Sequence, residues 1–222
     1  MTASPRPAAI TGPEDFAGYF SVSRETLSRL LAYAALLEQW QRTINLVAPS
    51  TLPEVWSRHF ADSAQLLAYA PPAAQSWVDL GSGAGFPGLV LAILLAEHRE
   101  ARMALIESDT RKAAFLAEVA RRTGVAVDIY PERIEKVATQ AKLGPIDVIT
   151  ARALAPLPRL LKLAAPFFSQ GTVGLFLKGR EAETEVETAR KTWDFEGALH
   201  PSLTDSDGRI VVVRALKSTK EG

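Results

Sequence analysis

The segment that most restricts this chain is Asp79-Leu-Gly81-Ser-Gly83-Ala-Gly85-Phe-Pro-Gly88, flanked by two apolar runs, residues 77–80 and 89–96. Such a segment reads as a short buried strand, a glycine turn and an apolar helix over residues 87–96. Glycines let the backbone turn tightly and approach a ligand closely, and the helix N-terminus behind them presents unpaired N–H groups. A chain built around this unit is drawn toward an α/β layout in which ligands bind at the carboxyl ends of the strands.

The rest of the sequence agrees. Strand patterns over residues 103–107, 125–130, 146–151 and 173–177 alternate with helical patterns over 111–123, 134–141, 157–165 and 181–191. Alternation of that kind implies a parallel sheet with helices on both faces. Residues 197–203 and the run Arg209-Ile-Val-Val-Val-Arg214 are joined only by Asp205-Ser-Asp-Gly208. A connection so short demands an antiparallel pair, which gives a mostly parallel seven-stranded α/β sheet closed by a C-terminal hairpin.

Upstream of Trp77 the pattern is helical. Leu27, Leu30, Leu31, Ala34, Leu37, Trp40 and Ile44 mark an amphipathic helix ending near Asn45. Thr51-Leu-Pro-Glu54 matches a capping box, so a second helix is expected from Thr51, burying Val55, Trp56, Phe60 and Leu67 and stopping before Pro71-Pro72. The expected organisation is a disordered lead (1–20), a helical extension (21–76) and a ligand-binding α/β domain (77–222).

Composition removes several function classes. With 23% charged and 47% hydrophobic residues the chain can bury a core. It has no cysteine, which excludes a disulfide framework, a thiolate metal site and thiol nucleophilic catalysis, and is consistent with a cytoplasmic protein. The N-terminus has no apolar signal core, and no apolar run approaches the ~20 residues of a spanning helix. His59, His98 and His200 have no metal-ligand spacing, so no metal is expected. The 25 basic residues balance the 25 acidic ones, with 5 against 6 before Trp77 and 20 against 19 after it. Taken alone, neutrality argues against nucleic acid. A local basic rim remains compatible with it, and the expected consequence is weak non-specific RNA binding.

Two cofactors compete for the glycine loop. Gly83-x-Gly85-x-x-Gly88, with Glu107 19 residues further on, matches the dinucleotide fingerprint of a nicotinamide-dependent oxidoreductase. The overlapping register, Asp79-x-Gly81-x-Gly83-x-Gly85, is similar to the loop by which class I methyltransferases hold S-adenosylmethionine. Asp79 favours the second, because an acid there suits a cationic α-ammonium or sulfonium and would repel a pyrophosphate. Glu107, ending the second strand, can accept both ribose hydroxyls of a nucleoside.

Two common nucleic-acid chemistries are disfavoured by what is missing. The fourth strand is followed by Thr150-Ala-Arg-Ala-Leu154, without the Asn/Asp-Pro-Pro-aromatic tetrad that grips an exocyclic amine. Methylation at cytosine C5 needs a thiolate to add to the ring, and there is no cysteine. Transfer to a nucleophile already competent remains open, and guanine N7, with a lone pair and no proton, is one such. That reaction asks for alignment and charge management more than for a base.

These residues, together with Phe86-Pro-Gly-Leu89, Glu107-Ser108, Arg111-Lys112, Thr150-Ala-Arg-Ala-Leu-Ala155 and Leu177-Lys-Gly179, strongly resemble the small-subunit ribosomal RNA methyltransferase G family, also called glucose-inhibited division protein B. Asn45-Leu46 and Arg58-His-Phe-Ala-Asp-Ser63 match its helical signature, and the likeness runs from about Trp40 to Val213. The resemblance implies methylation of guanine N7 in 16S rRNA with S-adenosylmethionine, the RNA being naked, in an assembly intermediate or in the small ribosomal subunit. It also implies methionine-side contacts from Gly81 and Phe86, adenine contacts from Ile134 and Glu135, and a place for Arg152 between cofactor and target.

Beside that likeness stand the basic residues themselves. Arg152 follows the fourth strand and Lys178-Gly-Arg180 the fifth, so they reach one rim, where Arg152 and Lys178 are expected to position the target and Arg133 and Arg180 to contact RNA. The competing reading is ordinary salt bridging of Lys178 and Arg180 to Glu181 and Glu183. Arg58, His59 and Asp62 share one helical face. They either line the cleft roof, with Arg58 and His59 on RNA, or cement the helical extension to the sheet, the reading favoured by the residues alone. A third functional class, a non-catalytic RNA-binding assembly module on the same fold, is opposed by the intact loop, Asp79 and Glu107.

Overall fold

The computed structural model describes residues 10–140 and 143–219. Its centre is a seven-stranded sheet of order β3-β2-β1-β4-β5-β7-β6, made by β1 (Ser76–Leu80), β2 (Arg102–Ile106), β3 (Asp128–Tyr130), β4 (Val148–Arg152), β5 (Val173–Lys178), β6 (Trp193–Pro201) and β7 (Arg209–Ser218). The first five strands pair in parallel, while β7 runs antiparallel to β5 and β6, as the short 202–208 connection requires. Strand order reverses between β1 and β4, the place where a crevice opens at the carboxyl ends of a doubly wound sheet.

Period-two alternation sorts the strand side chains onto two cores. Trp77, Met103, Leu105, Val148, Leu175 and Val212 face one layer, and Val78, Leu80, Ala104, Ile149, Phe176 and Val211 face the other. The first layer contains α4 (Gly88–Leu94), α5 (Thr110–Thr123) and the whole N-terminal helical region, so that region shares its core with the sheet. The second contains α6 (Ile134–Gln140), α7 (Leu157–Ala164) and α8 (Ala182–Ala189).

Local signals set the helix ends. The Asp109 side chain accepts from the Arg111 and Lys112 amides at the start of α5, and Gly124 closes it in the left-handed conformation at φ 66°.

The N-terminal region corrects four expectations. Of the expected disordered lead, residues 1–9 lie outside the described residues, but Pro13–Phe20 form a helix, α1. Phe16 on it is fully buried, 5.6 Å from the Trp56 ring, and this aromatic contact orders a segment too short to be helical alone. The amphipathic helix α2 (Arg24–Gln41) stops four residues before Asn45, because the Gln41 side chain takes the amides of Leu46 and Val47 and turns the chain. Leu31, placed on its apolar face, is exposed, whereas Tyr33 is fully buried.

No capping box forms at Thr51. Pro49–Glu54 is a 3₁₀ segment, followed by a π-helical turn (Trp56–Ala61), a short α-turn, α3 (Asp62–Ala64), and a second 3₁₀ segment (Gln65–Tyr69). The Thr51 hydroxyl donates to the Ala48 carbonyl instead, 2.7 Å away. Boundaries elsewhere shift by a few residues, and the expected end of α6 at residue 141 lies outside the described residues.

Candidate cofactor and target clefts

Two clefts open side by side at the carboxyl edge of the sheet. The first, about 390 Å³, is lined by the glycine loop after β1, Glu107 after β2, Arg133, Ile134 and Glu135 after β3, and Arg152 to Leu154 after β4. The second, about 500 Å³, is lined by Arg58, His59, Asp62, Lys178 and the Ser202–Arg209 turn. Leu46, Val47, Arg152 and Ala153 belong to both, so they form the wall between them.

The glycine loop is shaped for close approach. Gly81, Gly83 and Gly85 all have positive φ, 67°, 57° and 93°. A Cβ on Gly81 would meet Leu154 Cδ1 at 2.6 Å, and one on Gly85 would meet the Tyr33 hydroxyl at 2.5 Å. Tyr33, buried on α2, donates to the Ala84 carbonyl and stacks on Phe86 at 5.4 Å. One residue thus holds the loop by a hydrogen bond and by a ring face.

Glu107 is buried, and its two oxygens receive the Gly83 amide (2.8 Å) and the Asp109 amide (2.7 Å). Each oxygen keeps a second lone pair. Its carboxylate therefore fixes the loop and still has acceptor capacity at the cleft.

Asp79 is placed differently from the expectation. It is fully buried behind the loop and lines neither cleft. One carboxyl oxygen accepts from the Thr150 hydroxyl at 2.7 Å, and the other has no hydrogen-bond partner. Gly88 presses so close that a Cβ there would meet that second oxygen at 2.7 Å. Burial pushes the carboxyl up to about 6, against the opposing pull of Thr150. In this geometry the Asp79 carboxyl lies beneath the loop, held by Thr150 through one oxygen, with the other unpaired.

Arg152 occupies the shared wall. Its Nη1 donates to the Arg58 carbonyl (3.0 Å) and to Asp62 (3.3 Å), Nη2 lies 2.9 Å from His59 Nδ1, and its guanidinium carbon sits 4.9 Å from the Phe86 ring centre. His59 stacks on the same Phe86 ring at 4.7 Å. Arg58, His59 and Asp62 therefore line the second cleft and at the same time bind the helical region to β4 through Arg152. The Arg58 side chain itself turns outward to Asp205 at 3.4 Å.

The remaining cations of the rim correct a second expectation. Lys178 is not free for a target: its ammonium bonds Glu185 at 2.6 Å and the Ala155 carbonyl at 2.8 Å, and Glu185 also accepts from the Leu157 amide. Its role in this geometry is to brace the 153–157 loop beneath Arg152. Arg180 is exposed opposite Asp207 at 3.9 Å. The salt-bridge reading of both residues thus holds, although the partners are Glu185 and Asp207 in place of Glu181 and Glu183. With Arg58 paired to Asp205 as well, the cations on this side of the rim are each matched by a carboxylate.

Tyr33, Gln41 and Thr51 were not visible as site residues. Each acts through a contact made across the fold, and an aromatic or polar residue in a helical stripe carries no such signal. Among the described residues no group of three or more His, Asp or Glu side chains could hold a metal ion, and no helix is long and apolar enough to cross a membrane.

Known proteins can be set beside this geometry. A family model described as rRNA small subunit methyltransferase G matches residues 26–219. The chain is 51% identical over 207 residues to ribosomal RNA small subunit methyltransferase G of Parvibaculum lavamentivorans, covering 93% of this chain and 91% of that protein. It is 53% identical over 197 residues to the protein of the same name from Methylobacterium nodulans, covering 88% and 92%. Among solved structures, the O-methyltransferase TomG from Streptomyces achromogenes, in complex with SAM, superimposes with a TM-score of 0.55 at 15% identity, over 88% of this chain and 94% of that one. At that identity the likeness concerns the fold.

Proposed function

Given that the chain belongs to the rRNA small subunit methyltransferase G family, we propose that it transfers a methyl group from S-adenosylmethionine to N7 of a guanine in 16S rRNA. The observation that carries the reading is the pair of clefts sharing one wall, with Arg152 in that wall and the glycine loop beside it. When bound, S-adenosylmethionine supplies an electrophilic methyl group. The first cleft fits it: Glu107 offers free lone pairs to ribose hydroxyls, Gly81 and Phe86 line the methionine side, and Ile134 with Glu135 meets the adenine.

The second cleft receives the target base. Of the five N–H groups of a guanidinium, Arg152 commits three to Arg58, Asp62 and His59, which leaves two uncommitted on a side chain that lines both clefts. They orient the purine through an acceptor such as O6. The N7 lone pair carries no proton, so the wall needs no general base. It needs a donor held still in a water-poor site, and Arg152 is 18% exposed and held on three sides. Arg133 at the first cleft, Arg58 at the second and exposed Arg180 outside it are the side chains offered to RNA phosphates.

The dinucleotide and the non-catalytic readings are not favoured by the family match. The decisive experiment compares 16S rRNA from cells with and without the protein by mapping methylated nucleotides, and then supplies purified protein with S-adenosylmethionine and undermethylated small subunits. Methyl incorporation at one guanine is expected. Absence of any incorporation, or NAD(H) binding in place of S-adenosylmethionine, would overturn the reading.

A further inference from the structure

His59 has no assigned part in this chemistry, yet its two ring nitrogens are the middle of a hydrogen-bond chain whose direction can be read. A guanidinium has no acceptor, so in the 2.9 Å contact with Arg152 the arginine donates and His59 Nδ1 is unprotonated. The proton then sits on Nε2, which donates to Thr51 Oγ1 at 2.8 Å. Thr51 in turn passes its own proton to the Ala48 carbonyl at 2.7 Å. Four groups are thereby satisfied in one sense only, from the wall between the clefts to the strap of residues 46–51 above them.

We propose that His59 is a positioning residue for methyl transfer: as the neutral Nε2–H tautomer it accepts from Arg152 and fixes the guanidinium between the two clefts. The inference rests on the reading of Arg152 given above. Three further observations support it. Phe86, from the cofactor loop, lies against both the imidazole and the guanidinium, so lateral movement of either is blocked. The remaining two residues of the motif act on the same group, Arg58 through its carbonyl and Asp62 through its carboxylate. Burial, with Arg152 and Arg58 close by, pushes His59 down to about 3, which keeps the acceptor lone pair available at neutral pH.

A histidine that only filled space here would be replaceable by any side chain of similar volume. The test uses the full chain, S-adenosylmethionine and undermethylated small subunits. His59→Leu is expected to lower kcat about 10- to 100-fold, the range for losing a hydrogen bond to a charged group, with little change in S-adenosylmethionine affinity. The side-chain oxygen of His59→Asn can stand near the position of Nδ1, while His59→Gln reaches the position of Nε2. Asparagine is therefore expected to recover most of kcat and glutamine much less, although both lose the stack on Phe86. Combined with Arg152→Ala, which is slow by itself, His59→Leu should add nothing further.

Full kcat in His59→Leu, or equal rates for the asparagine and glutamine variants, overturns the proposal. The two readings fail separately. A slow Arg152→Ala with an unimpaired His59→Leu removes only the role of His59, whereas an unimpaired Arg152→Ala removes the role of the arginine. Should the leucine variant not fold, the asparagine and glutamine pair carries the comparison.

Discussion

Of the buried titratable side chains within reach of Arg152, His59 and Asp79 are driven by burial in opposite senses. His59 is depressed from 6.5 to about 3, so as pH falls through that window the unfolded chain binds the proton first and stability is lost. Asp79 is raised from 3.8 to about 6, so the folded chain binds first and stability rises as pH falls from 6 toward 4. Between pH 4 and 6 the two slopes oppose one another. Replacing His59 by asparagine removes one of them, and the variant should gain on the parent by ~1.4 kcal/mol per pH unit lowered across that range. Urea denaturation of both proteins at pH 6.5, 5.5 and 4.5 measures this, and a constant difference would refute it. Gly88 provides a second residue-level test. Its Cβ would meet Leu105 and Asp79 at 2.5 to 2.7 Å, so Gly88→Ala should cost about 1–3 kcal/mol through overpacking, seen as a lowered Tm. The glycines, Glu107 and Arg152 were legible in the sequence because strand ends and spacing place them. Asp79 was legible as an acid in a motif, but spacing does not say which side of the loop its carboxyl faces.

At the scale of elements, the sheet and its terminal hairpin could be read directly, since strand periodicity and connection length determine them. The region before β1 could not. There α1 is held by Phe16 against Trp56, and the 49–69 stretch mixes 3₁₀, π and α turns around Pro49, Pro53 and the contacts of His59. Such geometry depends on the partner surface and not on local preference. Phe16→Ala should accordingly cost about 3–5 kcal/mol, the usual penalty for emptying a buried aromatic site, as read by chemical denaturation. The strap above the clefts offers a complementary test. Gln41 alone accepts the Leu46 and Val47 amides and donates to the Val47 carbonyl, and both of those residues line both clefts. Gln41→Ala should leave the sheet intact, speed hydrogen exchange at those amides and raise KM. Unchanged exchange at residues 46 and 47 would show that the strap is held elsewhere.

For the molecule as a whole, the balance of 25 and 25 charges is repeated at the second cleft, where Arg58, Arg152, Lys178 and Arg209 face Asp205, Asp62, Glu185 and Glu183. A rim compensated in this way draws little on counterion release, so binding to arbitrary RNA should be weak and shallow in its dependence on salt, and a steep slope in filter binding would contradict this. Recognition then falls to the fit of a particular folded target against the two clefts. Their common wall has a consequence for turnover. Leu46, Val47, Arg152 and Ala153 cannot adjust to one occupant without presenting a changed surface to the other. By thermodynamic reciprocity, whatever factor the cofactor contributes to RNA affinity, the RNA must return to cofactor affinity. On the proposed occupancy of the two clefts, exchange of the cofactor for its demethylated product on this wall would also change the grip on the RNA, so that the two releases would be coupled.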